Sequence, residues 1–260
     1  MTARQPQARR RVLNVEIDPV DQAGAIARIL DWCRDGRTEL VVTPNLDHVV
    51  KLEKNPAFRA AYKGAALVLA DGAPLVLLSA LAGPQLPHVT GADLVEPLCA
   101  AAAAEGRSVF LFGTTLGVLA GAARALARRC PGLEIAGVYA PPFGFERSAE
   151  EMRLALAAIN EAAPAIVFVA LGAPKQEIWA HEVLPQIRAN ALVCVGAALD
   201  FIAGGARRAP RPLRRLKLEW LWRAASEPRR LGTRYARIAL ALPVLMLRFA
   251  LRDRLNRGRT

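Results

Sequence analysis

Ala165-Ile166-Val167-Phe168-Val169-Ala170-Leu171 is an unbroken apolar run, closed by Gly172-Ala173-Pro174. A stretch of helical character follows, Lys175 to Ile187, and then a second apolar run, Leu192-Val193-Cys194-Val195-Gly196. A run without polar alternation suits a strand covered on both faces. Strand, helix and strand in succession imply a crossover and parallel pairing. Working outward, the same rhythm recurs. Further strands are expected at Val12–Ile17, Leu40–Thr43, Leu67–Ala70, Ser108–Phe112 and Glu134–Val138. Helices are expected near Asp21–Asp35, Asn55–Lys63, Ala92–Glu105, Gly117–Arg129 and Ser148–Ala162. The fold class is α/β, a mostly parallel sheet covered by helices.

The rhythm stops near Arg207, where Arg, Pro, Leu and Trp take over. From Arg207 to Thr260 there are 16 Lys+Arg and three acidic residues, a net charge of +13; the other 206 residues sum to −1. The expected division is a catalytic α/β body, residues 1–205, and a basic helical appendage, residues 206–260. Such a tail seeks an anionic partner: nucleic acid, membrane lipid or a phosphorylated substrate. The start of the chain is polar and basic with no apolar signal region, and no uncharged apolar stretch approaches the roughly 20 residues of a spanning helix. Ile238 to Leu247 is the longest candidate, interrupted by Pro243, so a helix lying in a membrane interface is expected rather than one crossing it. Cys33, Cys99, Cys130 and Cys194 form no C-x-x-C pair, which predicts reduced, buried thiols.

In open α/β sheets ligands bind beyond the carboxyl ends of the strands. Five such ends carry polar or Gly-rich turns: Thr43-Pro44-Asn45, Ala70-Asp71-Gly72, Gly113-Thr114-Thr115-Leu116-Gly117, Gly172-Ala173-Pro174-Lys175-Gln176-Glu177 and Gly196-Ala197-Ala198-Leu199-Asp200. Asp71 is the candidate general base, since Gly72 beside it admits a close substrate; the alternative is an N-cap for the helix after Pro74. Thr43 and Asn45 can hydrogen-bond a sugar or form a turn. Gly113 and Thr114 open a helix whose backbone amides can hold a diphosphate. Lys175 and Gln176 can meet phosphate or sugar. Asp200 is a base, a ribose or uracil contact, or a cap. His48, His88 and His181 lack metal-ligand spacing, and no Asp-x-Asp pair exists, so no metal site is expected. No Gly-x-Ser-x-Gly elbow is present either, which argues against an α/β hydrolase.

Taken in order, Thr43-Pro44-Asn45, Ala70-Asp71-Gly72, Thr90-Gly91-Ala92-Asp93, Leu171 to Glu177 and Gly196 to Phe201 form a specific set. Arg208-Ala209-Pro210, Leu218-Glu219-Trp220, Arg223, Glu227-Pro228-Arg229-Arg230 and Arg234-Tyr235 complete it. The set resembles the WecG/TagA/CpsF glycosyltransferases from about Val12 to Phe249. The chain departs from that pattern at Gly196-Ala197, where the family often has two glycines. The resemblance implies an inverting, metal-independent transferase that uses a UDP-sugar, often UDP-N-acetylmannosamine, and a sugar on undecaprenyl diphosphate as acceptor. It places Asp71 on the family's proposed base and Thr43, Asn45 and Gln176 on its polar active-site positions. The arginines after Arg207 fall in its membrane-associating segment, where Arg211, Arg214 and Arg223 are candidates to bind the acceptor diphosphate.

The expected architecture is thus a Rossmann-like body with a basic helical appendage, acting at the cytoplasmic face of a bacterial inner membrane. The expected partners are a UDP-sugar donor, a polyprenyl-diphosphate-linked acceptor and an anionic membrane surface. No cofactor, metal or nucleic acid is expected, and a homo-oligomer is left open. Two rival readings stay open here: a Rossmann-type nucleotide-dependent oxidoreductase, against which the missing G-x-G-x-x-G counts, and a nucleic-acid binder that stacks bases on Trp220, Trp222 and Tyr235 of the tail. Alanine at Thr43, Asn45 or Gln176 is expected to lower kcat/KM with little loss of stability.

Overall fold

The computed structural model describes residues 8–80, 83–205, 209–210, 213, 222, 232, 236–247 and 249. Arg211, Arg214, Arg223, Trp220 and Tyr235 lie outside the described residues.

Six strands form one wholly parallel sheet: β3 (Glu39–Val42), β4 (Leu67–Val68), β5 (Val109–Gly113), β6 (Ile135–Tyr139), β7 (Ile166–Ala170) and β8 (Ala191–Cys194), in the order β4-β3-β8-β7-β5-β6. The two apolar runs that flank Lys175 are thus neighbours, paired Ile166 to Ala191 through Val169 to Cys194. Every residue of β5, β7 and β8 is buried, which is why these strands read as continuous apolar runs.

Helices cover both faces. Leu40, Val42, Phe112, Val167, Val169 and Cys194 face a layer built from α2 (Leu46–Lys54), α3 (Pro56–Gly64), α4 (Ala73–Ser79), α7 (Ala149–Ala162) and α8 (Lys175–Val183). Val41, Val109, Leu111, Phe168 and Val193 face α1 (Gln22–Asp35), α5 (Gly91–Ala104), α6 (Leu116–Arg129) and α9 (Ala198–Ile202). Crossovers toward the β6 edge use the second face through α5 and α6, and those toward the β4 edge use the first; α4, between β4 and β5, also packs on the first. A single crossover hand produces that arrangement. Ile238 and Leu245, from helical residues 236–247, are buried in the first layer. That helix therefore packs on the body, while Leu240, Val244 and Leu247 stay exposed. No helix among the described residues is long and apolar enough to cross a membrane.

Three expectations change. Val12–Ile17 is not one strand but an antiparallel hairpin, β1 (Arg10–Val12) and β2 (Val15–Ile17), outside the main sheet. Leu13 turns it by adopting φ 55°, a left-handed backbone that leucine rarely signals. The polar turn after β3 is only three residues long and leads into α2, capped by Asn45, whose side chain accepts from the Asp47 amide. Asn55 then ends α2 and caps α3, with Pro56 in the first turn of α3. Finally, α8 stops at Val183 rather than Ile187: Leu184 keeps a helical backbone, but Pro185 has no N–H to continue the helical hydrogen bonds.

The Thr90-Gly91-Ala92-Asp93 motif has a structural cause. Thr90 Oγ1 accepts from the Asp93 amide at 2.9 Å and donates to the Asp93 carboxylate at 2.8 Å, so the pair closes the start of α5. Gly91 lies against strand-end backbone; a Cβ there would come 3.1 Å from Val195. We predict that Thr90→Ala lowers unfolding free energy by about 0.5–2 kcal/mol, measured by urea denaturation.

Candidate active site

The topology opens two crevices at the carboxyl ends of the strands. β3 leads outward to β4, while its neighbour β8 leads to α9 on the opposite face. β7 leads back to β8, while its neighbour β5 leads on to β6. Crossovers that part in this way leave room for a ligand between the strand ends. Thr43, Gly113, Gly172 and Gly196 all stand at these four ends.

Across the first crevice, Thr43 is buried and its hydroxyl donates to the Cys194 carbonyl at 3.1 Å. Asp71 follows β4. Its amide and that of Gly72 both reach the Pro44 carbonyl, at 3.0 and 3.3 Å. Gly72 touches Asn45 so closely that a Cβ would lie 2.8 Å from the Asn45 Cβ. The Asp71 carbonyl accepts from His88 Nε2 at 2.5 Å, which requires the proton on that nitrogen. Asp71 is not the cap of α4: the cap is Gly72, and no side chain bonds there. The backbone of Asp71 is thus fixed from two sides, and the residue is half-buried.

Across the second crevice, Gly113 adopts φ 112°, and a Cβ on it would lie 2.5 Å from the Ala170 carbonyl oxygen. Only glycine fits. The Thr114 amide donates to that same carbonyl at 2.9 Å. Thr115 caps α6, and Thr115, Leu116 and Gly117 are exposed at its start. Lys175, at the start of α8, pairs with Glu146 at 2.9 Å and sits 5.2 Å from the ring centre of the fully exposed Phe143. Lys175 follows β7 and Glu146 follows β6, so this pair bridges the mouth of β5, which lies between them. The bridge holds the Glu146 carboxyl below its usual range, chiefly through the Lys175 hydrogen bond. Asp200 lies in the first turn of α9, whose cap is Ala197, and its carbonyl accepts from the Gly205 amide.

Gln176 joins the crevices. Its Oε1 accepts from the Gly172 amide at 3.2 Å and the Gly196 amide at 3.1 Å, tying the end of β7 to the end of β8. Its Nε2 donates to Glu177 Oε1 at 2.8 Å. Glu177 is 0 % exposed, and burial pushes its carboxyl up to about 7, against the lowering effect of the Gln176 hydrogen bond. His48 Nδ1 stands 3.9 Å away and meets the Tyr62 hydroxyl at 2.7 Å. The Tyr62 phenol is pushed upward by burial and then by Glu177, Cys194 and Asp71.

Sequence reasoning named Glu177 without a role, weighed His88 only as a metal ligand, and passed over Glu146 and Phe143. Their work depends on which loops become neighbours. Thr43, Asn45 and Gln176 all bond to backbone, so alanine there perturbs the turns themselves. That revises the expectation that such changes leave stability intact. Among the described residues, no three His, Cys, Asp or Glu side chains group as metal ligands. All four cysteines are free and buried.

The model of the glycosyl transferase WecG/TagA/CpsF family matches residues 10–260. The chain belongs to this family. It is 32% identical over 191 residues, 73% of this chain and 72% of the relative, to an N-acetylglucosaminyldiphosphoundecaprenol N-acetyl-beta-D-mannosaminyltransferase of Bacillus spizizenii. That match places a family transferase fold behind the strand-end arrangement, and a membership of this kind makes the protein a glycosyltransferase.

The buried carboxyl gives a prediction with a definite sign. A folded-state value near 7, above the 4.5 of the exposed group, means that the native state binds the proton more tightly. The penalty is absent below the unfolded value, grows between the two, and is complete above pH 7, on the order of 3 kcal/mol. Glu177→Gln should therefore raise Tm relative to the parent at pH 8, with the gain shrinking toward pH 5, as thermal melts across that range would record.

Proposed function

We propose that the protein moves a sugar, N-acetylmannosamine or a related hexose, from a UDP-sugar to a polyprenyl-diphosphate-linked saccharide, with inversion and without a metal. The observation that carries this reading is Asp71: a carboxylate at a strand end, not used as a helix cap, with its backbone gripped by Pro44 and His88. The activity named for the Bacillus relative supports the donor sugar and the lipid-linked acceptor.

In this mechanism Asp71 accepts the proton of the acceptor hydroxyl as that oxygen attacks the anomeric carbon. UDP departs from the opposite face. Its diphosphate lies at the Gly113-Thr114 turn and the start of α6, where amides and the helix dipole favour negative charge. Lys175 exchanges Glu146 for a phosphate oxygen, and Asp200 meets the nucleoside. Thr43, Asn45 and Gln176 shape the floor of the sugar site.

Residues 206–260 act as the membrane-facing appendage of a body spanning 1–205. The charge of +13 in 207–260 attracts an anionic leaflet at about 1 kcal/mol per engaged Lys or Arg. Exposed Leu240 and Leu247 offer apolar contact with it. Arg211, Arg214 and Arg223 clamp the acceptor diphosphate, which guanidinium matches bidentately. The site faces the cytoplasm, where UDP-sugars are made.

The deciding experiment offers a panel of UDP-sugars and polyprenyl-diphosphate saccharides and identifies products by mass. Transfer of a single N-acetylhexosamine, undiminished by EDTA, is expected. If no UDP-sugar is consumed, the reading is wrong; if magnesium or manganese is required, its metal-free part is. In the same assay Asp71→Asn should lose about 10²- to 10⁴-fold in turnover while still binding UDP. A variant keeping more than half its turnover would remove Asp71 from the role.

A further inference from the structure

Glu177 is an expensive residue to keep. Its carboxyl is wholly buried, and a carboxyl without a close cation is costly to take out of water. The groups that face it do little to neutralise it. From α2, Lys51 pairs with Asp47 and donates to the Ala173 carbonyl, and His48 stands 3.9 Å off while engaged with Tyr62 of α3. Cys194 of β8 is a buried thiol pushed upward by burial and then by Glu177 itself. Oε2 of Glu177 has no hydrogen-bond partner among the described residues. Leucine or methionine would fill this space without the penalty.

What leucine cannot do is accept a hydrogen bond from Gln176. An amide side chain has two ends of nearly equal shape and opposite hydrogen-bonding character. In the observed orientation Gln176 Oε1 meets two N–H donors, those of Gly172 and Gly196. Turned over, its NH₂ would face both donors and each turn would lose its acceptor. A carboxylate only accepts, so Glu177 holds the NH₂ end of Gln176 on its own side.

We propose that Glu177 is a positioning residue: it fixes the Gln176 amide, and through that amide the relative placement of the Gly172 and Gly196 turns at the carboxyl ends of β7 and β8. The inference rests on the transferase reading, because the Gly172 turn leads to Lys175 and the Gly196 turn to Asp200, both assigned above to the donor. Displacing such groups by about 1 Å costs up to roughly 10²-fold in rate.

The test uses the full chain as wild type, Glu177→Gln and Glu177→Leu. Backbone amide shifts and hydrogen exchange of Gly172 and Gly196 are read by NMR, and kcat/KM for the UDP-sugar is read by product mass. In Glu177→Leu both amides should shift and exchange at least about tenfold faster, with a loss of kcat/KM of about tenfold or more. Glu177→Gln, whose amide oxygen still accepts from Gln176, should restore most of both. Unchanged amides in folded Glu177→Leu overturn the proposal. Should that variant fail to fold, the wild type decides: the Gln176 side-chain NH₂ resonances should move between roughly pH 5.5 and 8.5, and not in Glu177→Gln, which removes any contribution from His48. Resonances that stay fixed in the wild type also overturn it. If the amides respond as expected but the wild type consumes no UDP-sugar, the transferase reading fails and the hold of Glu177 on Gln176 stands.

Discussion

Parallel pairing of β3, β8, β7 and β5 is the constraint on which the site depends. Strands that point one way deliver all their outgoing turns to one end, and strands buried on both faces leave polar chemistry to the turns. Thr43, Asp71, Gly113, Gln176 and Asp200 are scattered over more than half the sequence. The sheet gathers them without any of them having to pay for the gathering. Gly113 against Ala170 and Gly72 against Asn45 show how close the packing is at this end: in each case a single methyl would collide with a neighbouring turn.

Much of this was legible beforehand because burial on both faces writes itself into composition. Ile166 to Ala170 and Ala191 to Cys194 have no polar residue to confuse the reading, and the turns after them stand out by contrast. The hairpin at Leu13 was not legible, since nothing in a leucine announces a left-handed backbone. Helix α2 was hidden for another reason. Its cap, Asn45, belongs to a motif that drew attention as a ligand contact, and a capping side chain and a sugar-binding side chain look alike in one dimension. Asp71 shows the converse. Two roles were open to it, and the position of Gly72 as the cap of α4 removed one.

Glu177 illustrates what sequence cannot carry. A Gln-Glu pair at a helix start reads as a polar surface turn. Only the fold turns both side chains inward, where one oxygen of Gln176 is shared between the ends of two neighbouring strands. A buried carboxyl at such a point runs against stability, and proteins retain features of that kind where a working geometry needs them. The same tension explains the wider pattern here: the residues that hold the turns in place by bonds to backbone are the ones the site would be built from.

The bridge between Lys175 and Glu146 has a consequence for how any anion enters. The ammonium at the mouth of β5 already carries its own counterion, so an incoming phosphate replaces a carboxylate instead of meeting a bare cation. Entry is then an exchange of partners with little change in local charge pairing. Dissolved salt weakens the internal pair and the incoming one alike, and the two effects offset. Occupancy at this point should respond to ionic strength far less than the charge of the lysine suggests.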